Sequence, residues 1–177
     1  MPHFLRFNKK NIQTMKKFGL GALLVLVSVL LTECRKPECA GDDVPYHTDY
    51  EMPTGLNPLA QWVVELPQQD GFNGTLDANA SLHAKSIRIT SFDGYPLNYI
   101  SRIYVYLTAS GMDDLEIGYN DNVVDVSSNY IDIIPSLPNT TEFLNLNNFG
   151  IKLKYFIRRE PERFSTCRLD LVLRLCN

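Results

Sequence analysis

Cys167-Arg168-Leu169-Asp170-Leu171-Val172-Leu173-Arg174-Leu175-Cys176 nearly closes the chain with a strict alternation. Leu169, Leu171, Leu173 and Leu175 fall on one side, and Arg168, Asp170 and Arg174 on the other. A period of two is that of a β-strand, whose successive side chains point to opposite faces. The stretch therefore predicts a strand with one face in a core and the other toward water. The same period recurs upstream. Ile151, Leu153, Tyr155 and Ile157 alternate with Lys152, Lys154 and Arg158. Residues 101–108 place Ile103, Val105 and Leu107 on one face, and 85–91 place Ile87 and Ile89 inward. Residues 61–66 set Trp62, Val64 and Leu66 together; 115–119 and 130–134 are shorter candidates. Gly, Pro, Asn and Asp turns separate these runs, among them Asp93-Gly94, Gly111 with Asp113-Asp114, and Asn120-Asp121-Asn122. Phe143, Leu144 and Leu146 fit a short strand or a helical turn.

No stretch of ten residues after Cys34 shows helical period. Seven or eight short alternating strands predict an all-β domain, an antiparallel two-sheet β-sandwich. A small β-barrel is the alternative. The segments 151–158 and 167–175 are expected to form a hairpin across the long loop 159–166.

The N-terminus carries a different pattern. Lys16 and Lys17 precede 14 apolar or small residues, Phe18 to Leu31. As a helix that run spans roughly 21 Å, short of the roughly 30 Å of a bilayer core and suited to the apolar part of an export signal. Leu31-Thr32-Glu33-Cys34 then resembles the lipobox of bacterial lipoproteins, with Leu31 at the aliphatic position and Cys34 at the invariant one. The resemblance implies cleavage before Cys34 and acyl lipid on Cys34 as the membrane anchor. Glu33 departs from the small residue the family prefers beside the cut. A chain left uncleaved would be signal-anchored, and Cys34 would rejoin the count of free thiols. Arg35 stands where an Asp would imply inner-membrane retention in enteric-type sorting, so the resemblance implies the outer membrane. In size and layout the chain is similar to small lipoproteins of the Bacteroidota. The expected organisation is a signal segment 1–33 with Met15 as its start, a lipidated tether 34–59 broken by Pro and Gly, and a sandwich domain 60–177.

Removing 1–33 from the 177 residues leaves 144, enough for one domain with its own core. The cut takes five basic residues (Arg6, Lys9, Lys10, Lys16, Lys17) and one acid (Glu33) with it. Twelve basic and 19 acidic residues remain, a net charge of −7. That balance disfavours nucleic acid, which needs a basic footprint.

Four cysteines fit an oxidising compartment. With Cys34 lipidated, three remain. Cys167 and Cys176 flank one strand, roughly 30 Å apart when extended, and cannot pair with each other. Cys39 is therefore left with one of them or with none. Cys167 shares the parity of the inward leucines, which favours Cys39–Cys176 and leaves Cys167 a buried thiol.

Little points to catalysis. After residue 33 the histidines are His47 and His83, with no nucleophile elbow, metalloprotease helix or phosphate loop around them. No catalytic residue, metal ligand or cofactor is expected. The acidic turns match turn chemistry better than a calcium loop. Tyr104 and Tyr106 carry the clearest functional signal. They point away from the Ile103/Val105/Leu107 face, about 7 Å apart, a spacing that suits stacking on successive sugar rings. Tyr95, Tyr99 and Trp62 are candidate extensions of that platform. The expected role is a non-catalytic binding or structural module of the cell envelope with a protein or glycan partner. The rival is a hydrolase working through Asp113, Asp114 or Glu116, which needs two carboxyl groups about 5–10 Å apart in a cleft.

Overall fold

The strand Ser165–Cys176 (β9) lies deep in a sheet, between the strands Asp43–Met52 (β1) and Ser81–Ser91 (β4), antiparallel to both. The computed structural model describes residues 39, 41–58, 60–72, 74, 80–125 and 127–176. The expected signal segment 1–33 and Cys34 lie outside the described residues. The other strands are Gln61–Glu65 (β2), Gln69–Asp70 (β3), Ile100–Thr108 (β5), Leu115–Asn120 (β6), Tyr130–Pro135 (β7) and Asn148–Ile157 (β8). A single helical turn, Thr141–Leu144 (α1), buries Phe143 and Leu144. The strand order is β1-β9-β4-β7-β6-β5-β8-β2, with β3 also on β8.

The fold is all-β and antiparallel, an open and strongly curled sheet that forms a half-barrel. The two sheets expected from the sequence are joined in one path. The joint is the short β6–β7 ladder, Gly118 to Pro135 and Tyr119 to Ile134. The curl brings edge strand β1 across to β8. Tyr46 meets Phe149 edge-on at 5.2 Å between ring centroids, and the Tyr50 and Tyr155 hydroxyls hydrogen-bond to each other. Between them lies the core, built from the inward residues of every long strand: Ile87, Ile89, Ile103, Val105, Leu107, Ile151, Leu153, Leu169, Leu171 and Leu173 are buried.

Two expectations need correction. The segments 151–158 and 167–175 do not form a hairpin. Both edges of β9 are taken by β1 and β4, and β8 pairs with β5 on one side and with β2 and β3 on the other. The supposed tether is a ten-residue strand over Asp43–Met52. Pro45 hides it in the sequence, yet proline is tolerated at a sheet edge, where a missing N–H breaks no ladder on the open side. The strand expected over 115–119 is present as β6, and within it Tyr119 turns away from the face of Leu115 and Ile117. A bulge between the β5 and β6 registers pairs Val105 with Gly118 and Tyr106 with Glu116, so Ile117 is the extra residue and Tyr119 turns outward opposite Tyr104. Gly118 fits this bulge because a Cβ there would stand 2.5 Å from Ile87 Cδ1 and 3.0 Å from Ile133 Cγ2. A second bulge, at Ala84/Ser86, makes Lys85 the extra residue and lets both Ala84 and Ile87 face inward.

Cys39 and Cys176 are bonded, with Cα atoms 4.4 Å apart and a sequence separation of 137. Cys167 is free, buried and beside Ser165 Oγ at 3.8 Å. Burial pushes its thiol up to about 11, so it is protonated and inert near neutrality.

Ion pairs rim the outer face of the β1–β9–β4 region. Arg174 and Lys85 both reach Asp43, Arg168 reaches Asp49, and Arg88 reaches Asp132. The Arg174 hydrogen bond, then that of Lys85, holds the Asp43 carboxyl below its ordinary value of 3.8. A carboxyl depressed in the folded state contributes stability above its unfolded pKa, and that contribution is lost as pH falls through the lower folded value. Carboxyl NMR titration is expected to place Asp43 below an unstructured aspartate. Arg174→Gln is expected to raise it, and an unmoved midpoint would refute the pairing.

Candidate functional site

The outward faces of β5 and β8 form a patch of rings and cations. On β5, Arg102 is exposed and Tyr104 and Tyr106 are half-buried; on β8, Lys152, Lys154 and Phe156 are half-buried. Register sets Arg102 opposite Phe156, Tyr104 opposite Lys154, and Tyr106 opposite Lys152. Every row thus pairs one aromatic ring with one cation, and the order of ring and cation switches between the first row and the second.

Diagonal contacts lock the rows together. Lys154 Nζ lies 4.2 Å from the centre of the Tyr106 ring, and Tyr104 meets Phe156 edge-on at 6.0 Å. Within the first row, the Arg102 guanidinium stacks over Phe156 at 4.1 Å. Such cation–ring contacts contribute about 0.5–1 kcal/mol at exposed sites, enough to bias side-chain orientation and little enough to yield to a ligand. The rings are also held from the β6 side. The Tyr104 hydroxyl donates to Asp121, and the Tyr106 hydroxyl donates to Glu116 at 3.3 Å. The hydrogen bond to Asp121 raises the Tyr104 pKa; for Tyr106 the larger cause is burial, followed by the Glu116 charge. Both phenols therefore stay protonated and keep donating.

β2 and β6 extend the face. Val63 stands opposite Lys154, with Gln61 and Glu65 above and below it opposite Phe156 and Lys152. Val63 is 45% exposed. Carboxylates thus lie along both margins, Glu65 on β2 and Glu116 and Asp121 on the β6 side. A cleft of about 300 Å³ opens beside Glu65 and Lys152, lined also by Thr108 and Phe149.

The other aromatic candidates do not join this patch. Trp62 is opposite Tyr155 on the inward face of β2. Tyr99 is 2% exposed, and Tyr95 packs against it at 6.1 Å between centroids. Both lie in or beside the β4–β5 loop, with Tyr95 under Arg163.

Two of the three carboxylates of the rival reading are held by residues of the patch. Asp114 pairs with Lys152 at 2.7 Å, and Glu116 accepts from Tyr106. Neither these two nor Asp113 lines that cleft or either of two others, one bounded by residues from Leu97 to Asp132 and one by residues from Tyr95 to Glu162. Asn120-Asp121-Asn122 is a turn closed by the Asn122 N–H donating to Asn120 Oδ1 at 3.1 Å. Among the described residues no three His, Cys, Asp or Glu side chains are grouped to hold a metal ion. His83 is occupied, with Nδ1 3.0 Å from the carbonyl oxygens of Leu137 and Pro138 and Nε2 3.0 Å from Ser81 Oγ.

Sequence reasoning missed Arg102 and Phe156 as members of the patch. Their signal was parity: Arg102, Tyr104 and Tyr106 share one, and Lys152, Lys154 and Phe156 share another. No family model, curated protein or solved structure matches the chain.

Proposed function

We propose that the protein is a lipid-anchored, non-catalytic module of the cell envelope that holds a glycan or protein partner on the outer face of β5 and β8. The observation that carries this reading is the ring-and-cation lattice of Arg102, Tyr104, Tyr106, Lys154 and Phe156. A strand face that only needed to be soluble would carry small polar or charged residues. Three partly exposed aromatic rings, each braced from the side, suit a partner with flat apolar faces and a polar rim.

The anchor belongs to the same reading. Acylation at Cys34 leaves five residues to Cys39, at most roughly 18 Å of extended chain. The Cys39–Cys176 bond then holds one end of the sheet close to the membrane. The loops 92–99 and 158–164, with 121–125 and 127–129, lie at the opposite end of the strands, and the β5/β8 face runs between the two ends. The export signal and Arg35 favour the outer membrane.

Titration of the isotope-labelled mature protein with envelope polysaccharide and envelope protein fractions tests the reading. Amide shifts are expected on β5 and β8. Tyr104→Ala is expected to weaken binding roughly tenfold, about 1.4 kcal/mol, the scale of one well-packed interface side chain. Shifts confined to the loops would overturn the reading. Turnover of the polysaccharide, lost on replacing Asp113, Asp114 or Glu116, would overturn it in favour of a carboxylate-based hydrolase.

A further inference from the structure

Ten lysines and arginines lie among the described residues, and eight of them pair with a carboxylate. The two without a carboxylate partner among the described residues are Arg102 and Lys154. Both stand on the β5/β8 face, and both lie over aromatic rings. They occupy diagonal positions on neighbouring antiparallel strands, which places them about 7–8 Å apart at their bases. In a domain whose other described cations are neutralised within the fold, two left over at one site mark a place where negative charge comes from outside.

We infer that this face binds an acidic glycan, a sugar chain bearing carboxylates, with Arg102 and Lys154 as its anion contacts and Tyr104, Tyr106 and Phe156 as its stacking surface. The inference rests on the glycan half of the reading above and names the ligand's charge. A guanidinium centred 4.1 Å over the Phe156 ring has N–H groups enough to turn two of them toward a carboxylate as a fork. Lys154 supplies a compact, movable charge beside Tyr104. The margins set the limit on charge density. Glu65, Glu116 and Asp121 flank the lattice. They repel a phosphate at every repeat, as in nucleic acid, and accept hydrogen bonds from sugar hydroxyls. A chain with one carboxylate per ring meets both demands.

The test is calorimetric titration of the mature protein with six-sugar fragments of polygalacturonate, alginate and hyaluronan, beside a neutral galactose hexamer and a single-stranded DNA hexamer. At least one acidic hexamer is expected to bind, roughly tenfold or more tighter than the neutral one, and to weaken as salt is raised. Arg102→Gln and Lys154→Gln are each expected to lower that affinity by roughly tenfold. Arg88→Gln, which removes an exposed charge paired with Asp132 elsewhere on the sheet, is expected to leave it unchanged. Unchanged melting temperatures of the variants exclude misfolding as the cause. Equal binding of acidic and neutral hexamers, indifferent to both variants, overturns the inference and leaves the glycan reading standing. DNA binding as tight as the sugars also overturns it. No binding of any hexamer by the folded protein removes both.

Discussion

Cys39→Ser is expected to lower the stability of the domain by about 2–5 kcal/mol, the usual cost of losing a native disulfide from a small domain. The bond closes a loop of 137 residues, nearly the whole folded unit. Loop-closure entropy grows with loop length, so this is near the upper end of what one crosslink contributes. What it ties also matters. Cys39 leads into β1, an edge strand with a neighbour on one side only, and Cys176 ends β9, which is paired on both sides. The backbone near the bond continues that pairing, with Gly41 N–H donating to the Leu175 carbonyl and Leu175 N–H to the Asp42 carbonyl, each at 3.1 Å. Serine at 39 is therefore expected to leave the sheet formed and to lower Tm by roughly 7–17 °C for a domain of this size. Scanning calorimetry of the oxidised protein beside the variant reads this directly. An unchanged Tm would mean that the bond is absent from the native protein or that β1 is held without it.

The second large effect separates the two faces of one strand. Leu171 sits in mid-β9, 0% exposed, with β1 and β4 on either side. Truncation to alanine removes several buried carbons and leaves a cavity that two flanking strands cannot readily collapse, a loss of about 2–5 kcal/mol. Val172, its neighbour in sequence, points the other way, opposite Pro45 on β1 and Ser86 on β4, and is half-buried. Val172→Ala is expected to cost under about 1 kcal/mol by the ordinary scale of surface truncations. Denaturant unfolding of the pair measures the contrast. Comparable losses would contradict the assignment of the odd-numbered residues of β9 to the core.

How much of this was legible follows from where the period is unbroken. β8 and β9 alternate without interruption, and β5 does so after a slip at Ser101, so Ile103, Leu153 and Leu171 announce their burial in sequence. Where the period slips, the sequence misleads. Lys85 is inserted into β4, so Leu82 and Ala84 fall out of phase with Ile87 and Ile89, and the strand begins earlier than its pattern suggests. Ile117 does the same in β6 and sends Tyr119 to the opposite face. β1 carries Pro45 and is preceded by Gly41, residues that signal an irregular segment unless the strand is known to be an edge. Partner choice was the least legible property. β8 and β9 are neighbours in the chain, yet each exhausts its pairing edges on strands far away in sequence. Nothing local to either run encodes that.

The candidate face divides the same way. That Tyr104 and Tyr106 turn away from Ile103, Val105 and Leu107 follows from parity alone. That Lys154 lies over Tyr106 and Arg102 over Phe156 depends on β8 lying beside β5 in one register, a long-range fact. That Arg102 and Lys154 have no carboxylate partner among the described residues is more remote still, because it emerges only once the other cations have found theirs across the sheet.

The proposal that the protein is an envelope module depends first on Cys34, because an anchor there would decide which surfaces meet a membrane and which are left for a partner. The most direct measurement is the intact mass of the protein isolated from membranes, beside a Cys34→Ser variant. The account predicts a mass equal to residues 34–177 plus acyl chains, absent from the variant. A mass that still includes residues 15–33, unchanged by the substitution, would contradict it and make the chain a signal-anchored protein.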